Sequence, residues 1–263
     1  MKQIIQSFIL LIALCSASFY PAQATENKGR WVFDQFDLSR AGFQDYRVYQ
    51  YLSTVSRNKT SKKEFKQFGL QSPKGNKTLV VFVKPADNKG TALLSWHHNK
   101  GEDEQWLFLP NLKRIKKISS SGKKTPYMGS AFSYEDVAIL SRQNSSGFIY
   151  KYLREESVNG RSFHVIEGKP TTKKSAYLFI EFWVNKNDYT IPKMFFFNKK
   201  QKLTKTLVSS DYKLFLNQYW QATKTTIIDH RNKKTTVLIS KDYSFKNGFN
   251  DNMFSKSGLK RIK

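Results

Sequence analysis

The sequence predicts a mainly β protein with a few helices, and three observations carry that prediction. Short apolar runs recur at roughly ten-residue spacing between residues 45 and 245, which is strand rather than helix spacing. Turn residues (Pro, Gly, Asn, Lys) separate the runs. Within many runs the polarity alternates with period two, as expected of strands with two distinct faces. Hydrophobic residues make up 39% of the chain and aromatics 15%, enough to build a core and to exclude general disorder.

The chain opens on a leader. Lys2 is the single charge before Glu26, an apolar run extends from Phe8 to Leu14, and Ala22-Gln23-Ala24 is an A-x-A exit. This combination reads as a secretory signal peptide over residues 1–24, which places the mature chain in the bacterial periplasm. No later segment has the ~20 apolar residues of a membrane-spanning helix. Leu14 stands before Cys15 where a lipidation signal needs a small residue, which argues against a lipid anchor at Cys15. Cleavage after Ala24 removes the only cysteine, so no disulfide or thiolate chemistry is expected. Residues 25–263 then read as one domain, without linker or internal repeat, carrying a formal charge near +24.

Trp31 to Phe43 places five large apolar residues among polar ones and reads as a short amphipathic helix. From Asp45 the period changes to two, and strands are expected at 45–57, 63–70, 79–83, 91–97 and 105–109, the third and fifth ended by Pro85 and Pro110. Ser133 followed by Asp136 resembles a capping box, which predicts a helix of two or three turns through Leu140. Strands resume at 150–156, 162–167, 177–184, 191–198, 203–211, 219–229 and 234–243, and residues 251–262 suit a last short helix.

Chemistry-bearing patterns are few. His97 and His98 project to opposite faces of a strand, so they cannot share an ion from it. Neither His164 nor His230 completes a metal-ligand spacing, and Glu102-Asp103-Glu104 reads as a solvated turn. There is no phosphate loop and no G-x-S-x-G elbow. The sequence points to no enzyme, no metal and no cofactor. The basic cluster Lys113-Arg114-Ile115-Lys116-Lys117 is threaded by Leu112, Ile115 and Ile118 and lacks the interleaved aromatics of a nucleic-acid surface. It reads instead as a solvated face able to meet anionic lipid headgroups. The aromatics are more informative. Residues 177–184 and Met194-Phe195-Phe196-Phe197 carry large apolar groups on both strand faces, so both faces need cover. On the residues alone, a thick core and an apolar ligand cavity are equally good accounts.

The middle of the chain resembles a known family. Glu104-Gln105-Trp106-Leu107-Phe108-Leu109-Pro110 through Arg114 to Ile118 is similar to the D-x-Q-W-L-Y-L-P-x-L-x-R-V-R-R-I segment of the outer-membrane lipoprotein-sorting proteins, larger relatives of the LolA/LolB carriers. Tyr127-Met128-Gly129-Ser130-Ala131-Phe132-Ser133-Tyr134-Glu135-Asp136 resembles that family's F-M-G-S-D-F-S-Y-E-D, with Ala131 in place of its acid. The segment after Trp220 lacks the Pro and Met expected there. The resemblance implies a curved, incomplete antiparallel β-barrel closed by helices around a cavity for acyl chains of lipids or lipoproteins. It also implies a partner in some members, an inner-membrane exporter of the RND/MMPL type. On that basis Trp106, Trp183, Phe195, Phe197 and Trp220 are candidate cavity residues, and Arg114, Lys116 and Lys117 a candidate headgroup rim. A carrier of acyl chains and an exporter accessory subunit without cargo both remain open, with a polyanion binder third. A continuous apolar cavity favours the first.

Overall fold

The computed structural model describes residues 22–57, 59–73, 75–99, 101–142 and 145–261. The expected leader, with Cys15, lies outside the described residues except for Ala22–Ala24, which form the first turn of a helix. From there α1 (Ala22–Ser39) leads into a meander of β1 (Asp45–Ser56), β2 (Lys59–Leu70), β3 (Gly75–Lys84), β4 (Ala92–His98), β5 (Glu104–Leu109) and β6 (Arg114–Lys117). The connection that follows carries α2 (Tyr134–Ser141). A second meander comprises β7 (Phe148–Val158), β8 (Arg161–Pro170), β9 (Tyr177–Asn185), β10 (Lys193–Asn198), β11 (Leu203–Phe215), β12 (Tyr219–Asp229) and β13 (Lys234–Phe245). The chain ends in a 3-10 turn (Asp251–Phe254) and α3 (Lys256–Leu259).

Within each meander every strand pairs antiparallel with its neighbour in sequence, and β1 pairs with β13, so the meanders fuse into one 13-stranded sheet running from β6 to β7. The two end strands do not pair with each other, and the barrel is therefore incomplete, as expected. The sheet is strongly curved: Leu52, Phe82, Ile166, Phe182 and Leu207, from strands far apart in the sheet order, meet in one core with Val32 and Phe33 of α1 and Phe132 before α2. A second core lies on the other face of β3–β5, where Phe254 and Leu259 of the C-terminal segment cover Leu79, Leu94, Trp106 and Phe108. Residues 251–262, where one short helix was expected, hold a 3-10 turn followed by the short helix α3 (Ile262 lies outside the described residues), and they serve as cover for a sheet face.

α1 begins earlier and ends sooner than the apolar pattern of 31–43 suggests. Its buried residues Gly29, Val32 and Phe33, with half-buried Phe36, follow the i, i+3, i+4, i+7 spacing of one helix face. Gly29 is there because the helix lies directly on β7: a Cβ would stand 2.9 Å from Tyr152 N. Gly42, at φ 89°, turns the chain after α1, and Phe43 packs edge-on against Tyr46 and Tyr219. The capping box is present at α2: Asp136 N donates to Ser133 Oγ at 3.1 Å and Ser133 N to Asp136 Oδ2 at 2.7 Å. β6 was not expected as a strand. It is a short lysine-rich edge, a composition that discourages edge-to-edge pairing with another chain.

Candidate functional site

Between α1, α2 and the inner face of the sheet lies a cavity of about 270 Å³. Its wall is built by strand alternation. On β1, Tyr46, Val48, Gln50 and Leu52 point inward while Tyr49 and Tyr51 point out. On β13 the inward set is Leu238, Ser240, Tyr243 and Phe245, the last two after a register shift. Phe33 and Phe36 of α1 face Val137, Ile139 and Leu140 of the α2 segment across the space. The register orders the wall in layers. Leu52 lies opposite Leu238, then Gln50 opposite Ser240 and Phe65, then Tyr46 opposite Phe245. The cavity is therefore apolar toward Leu52, Leu207 and Phe132 and polar toward Tyr46, Tyr212 and Tyr243.

Arg40 belongs to the polar end. It lies in the turn just past the end of α1, four residues after Phe36, and its guanidinium lies 4.9 Å from the Phe36 ring centroid. Gln71 holds the local backbone, donating to Arg40 O at 3.0 Å and accepting from Gly42 N and Gln44 N. Burial lowers the Arg40 pKa, opposed by the nearby Tyr46, Asp37, Tyr212 and Tyr243. Burial likewise raises Tyr46 and Tyr212, and pushes Tyr243 up to about 12, so these hydroxyls stay protonated across the physiological range. Gln50 donates to Ser240 Oγ at 3.0 Å, while its Oε1 is buried with no donor.

The family-motif residues hold α2 in place. Gln105, fully buried, donates to Ser95 Oγ at 3.3 Å and to Tyr134 O at 3.2 Å, tying β5 to the start of α2. Pro110 ends β5. Met128 and Gly129 take positive φ, and Ser130 Oγ donates to Tyr127 O and accepts from Phe132 N, folding that turn against the barrel. Lys234 donates to Gly129 O at 3.0 Å. Glu135 accepts from Ser175 Oγ and Ala176 N, and burial raises its pKa. Asp136, with no exposed surface, accepts from Ser133 N, from the Tyr177 hydroxyl and from Lys205 Nζ. Phe132 lines the cavity directly, and Tyr134 packs in the core beside it.

The aromatic expectations need correction. Of the five candidates, Trp220 alone borders the cavity, at its polar end and 39% exposed. Trp106 is 4% exposed in the second core, against Trp96 and under the C-terminal turn. Trp183, Phe195 and Phe197 lie on the outer face: Trp183 packs on Phe163 and Phe195, and Phe197 stacks on Phe179 at 4.4 Å. The inner residues of those strands are Phe182, Met194 and Phe196, one position away. Arg114, Lys116 and Lys117 are exposed on the edge strand β6 and border no part of the cavity, and Lys117 pairs with Glu104. The residues that sequence reasoning missed, Arg40, Gln50, Tyr212 and Tyr243, were marked only by the parity of their strands and by the period of α1.

A polar cluster behind α2 has the arrangement of a Ser-His-Asp hydrolytic set. Ser141 Oγ lies 3.0 Å from His97 Nε2, and His97 Nδ1 3.0 Å from Asp103 Oδ2. It does not have the surroundings of one. Ser141 sits at the carbonyl end of α2 and makes the back-bond to Val137 O at 2.7 Å, where the helix dipole opposes a developing oxyanion. Asp103 is shared with Arg142. Its burial would raise its pKa, but the hydrogen bond from His97 and the charges of His97, Arg142 and Lys123 prevail and hold it low. The cluster fastens the end of α2 to β4. Among the described residues no group of three or more His, Cys, Asp or Glu is placed to hold a metal ion, and no helix is long and apolar enough to cross a membrane.

Comparison with known proteins agrees with this architecture. A family model whose description reads "uncharacterized protein" matches residues 74–261. A Vibrio parahaemolyticus structure, described as an outer membrane lipoprotein-sorting protein domain, is 34% identical with a TM-score of 0.86, covering 90% of this chain and 100% of the other. A DUF1329 family protein from Desulfovibrio piger is 25% identical at TM-score 0.82, covering 91% of this chain and 99% of its own. A LolA superfamily protein from Nitrosomonas europaea shares the fold at 19% identity and TM-score 0.69, covering 88% and 98%. No curated protein matches the chain.

Proposed function

The chain belongs to the outer-membrane lipoprotein-sorting protein family, and from that premise we propose that it is a non-catalytic carrier, exported to the periplasm, that shields acyl chains of lipids or lipoproteins from water. The observation that carries the proposal is the apolar cavity between α1, α2 and the sheet, set in a barrel that the sheet ladder leaves open between β6 and β7. Each methylene buried there contributes about 0.8 kcal/mol, so one long chain supplies enough free energy for tight binding without a charged partner. The mouth is flanked by the β11–β12 hairpin, whose tip exposes Leu214, Leu216 and Trp220 beside Lys213. This apolar tip with its cation suits an approach to an anionic membrane better than the β6 lysines do.

The experiment is native mass spectrometry of the protein isolated from the periplasm, with extraction of whatever co-purifies. Lipid or lipoprotein at one equivalent or less is expected, and Leu140→Trp, which fills the cavity, is expected to abolish it while the protein stays folded. A spectrum free of lipid, unchanged after incubation with lipid vesicles, would rule the carrier out. Such a result would leave the accessory subunit of an RND/MMPL-type exporter as the reading to pursue.

A further inference from the structure

Two residues in the cavity wall each hold a buried polar atom with nothing to bond to. Gln50 is 6% exposed and its Oε1 has no hydrogen-bond partner among the described residues. Tyr127 is 3% exposed, and its hydroxyl is likewise without a partner there. We propose, resting on the carrier reading, that the cargo is an alkyl chain with a hydroxyl at mid-chain, which donates to Gln50 Oε1 and accepts from the Tyr127 hydroxyl.

Both side chains are held from other directions, so neither open atom is easily closed by a change of rotamer. Gln50 Nε2 donates to Ser240 Oγ at 3.0 Å, and the Ser240 hydroxyl in turn bonds Tyr243, which fixes the amide with its nitrogen on β13 and its oxygen free. The Tyr127 ring stands edge-on to Tyr134 at 5.3 Å and lies 5.9 Å from Phe82. Its backbone is pinned as well: Tyr127 N donates to Phe132 O at 2.7 Å, and Tyr127 O accepts from Ser130 Oγ at 2.7 Å. Burial raises the Tyr127 pKa well above the ordinary tyrosine value, so the hydroxyl stays a donor. Buried polar groups are nearly always paired, and a wall that served only to hide plain alkyl chains has no use for either atom.

The sheet register places the two atoms along one stretch of the cavity. Gln50 of β1 lies opposite Phe65 of β2, and Phe65 opposite Phe82 of β3, the ring against which Tyr127 packs. The register also sets their depth. Gln50 follows Tyr46 by four residues on β1, roughly 13 Å inward at the rise of a strand. Tyr46 belongs to the polar end, where Trp220, 39% exposed, borders the opening. Beyond Gln50 the wall is apolar again, with Leu52, Leu238 and Leu207. A chain entering from the polar end therefore leaves its head near Tyr46, passes Gln50 at its middle and ends among the leucines.

The chemistry of the pair selects the group. One open atom is an acceptor and the other a donor. A hydroxyl donates once and accepts, so it serves both. A carboxylate or phosphate only accepts, which suits Tyr127 and sets a second acceptor against Gln50 Oε1. An ammonium only donates and leaves Tyr127 open. A water held in the cavity has the same two capacities as a hydroxyl, and it is the competing occupant.

The test is to titrate the exported protein with stearate, 3-hydroxystearate and 12-hydroxystearate, each below its aggregation concentration. The three share a head and a length and differ only in the presence and place of the hydroxyl. The 12-hydroxy chain is expected to bind about tenfold tighter than either of the others, the scale of pairing a buried polar group that was left open. Gln50→Leu and Tyr127→Phe are each expected to narrow that gap to about threefold or less without weakening stearate, and the double variant to erase it. Should Gln50→Leu not fold, Tyr127→Phe, which removes a single unpartnered atom, carries the comparison. Equal affinity of the wild type for stearate and 12-hydroxystearate assigns the open atoms to water and overturns the proposal while the carrier stands. A preference for the 3-hydroxy chain, or a 12-hydroxy preference that survives in the variants, overturns it equally. Binding of none of the three overturns the carrier itself.

Discussion

Lys205→Met tests how α2 is held in the barrel. The Lys205 ammonium meets Asp136 inside the protein, with side-chain exposures of 10% and 0%. Removing the cation leaves a carboxylate that cannot reach water. Breaking such a buried pair costs ~3–5 kcal/mol, and the low end is expected because Asp136 keeps two neutral donors, Ser133 N and the Tyr177 hydroxyl. About 3 kcal/mol in a protein of this size lowers the melting temperature by roughly 6–12 °C. Asp136→Leu is expected to be at least as harmful, since it strands the ammonium and removes half of the capping box, itself worth ~1 kcal/mol. The double variant has no buried charge and should lose only about the capping contribution, giving a coupling energy of several kcal/mol across the cycle. Urea denaturation followed by tryptophan fluorescence measures all four proteins. A cost below ~1 kcal/mol for Lys205→Met, or a coupling energy within ~0.5 kcal/mol of zero, would refute the argument.

Further outcomes follow from other parts of the structure. Asp103→Asn should flatten the loss of stability in acid. The native pKa of Asp103 is depressed below the ordinary 3.8, so its contribution is complete above about pH 4 and disappears as pH falls through the native value, a slope that acid-urea titrations would show in the wild type and not in the variant. Gly69→Ala should cost ~1–3 kcal/mol by chemical denaturation, because its Cβ would lie 2.0 Å from Cε1 of Tyr46, which covers this glycine from the next strand. Trp106→Ala should cost ~3–5 kcal/mol and leave amphiphile affinity within about twofold, since Trp106 lies in the core that the C-terminal turn covers and not in the cavity wall.

Much of this fold is legible in local pattern. The period-two runs mark the strands, Ser133 and Asp136 mark α2, and the two motifs around Gln105 and Met128 carry the family resemblance. The cavity wall is not legible in the same way. Phe182 and Trp183, or Met194 and Phe195, are adjacent and equally large, and alternation says they point apart without saying which points in. That is decided by the direction of curvature and by what covers each face, which depends on contacts between distant segments such as Phe254 on Trp96. Arg40 is hidden for another reason: a lone arginine after an amphipathic helix reads as solvated until the sheet closes over it. β6 escaped because Arg114–Lys117 has the composition of a loop, and its strand geometry is imposed by β5.

The unpaired edges of the sheet have a mechanical consequence. In a closed barrel, enlarging the interior means stretching or breaking a row of backbone hydrogen bonds along every strand. Here β6 and β7 are joined only through the segment between them, which holds α2 like a wedge in a split ring. Widening the split displaces side-chain contacts around Ser141, Glu135 and Asp136 and leaves all twelve ladders whole. The bore of such a ring is adjustable: a bulkier guest is accommodated by the stiffness of a few latches, while the hoop itself keeps its strength.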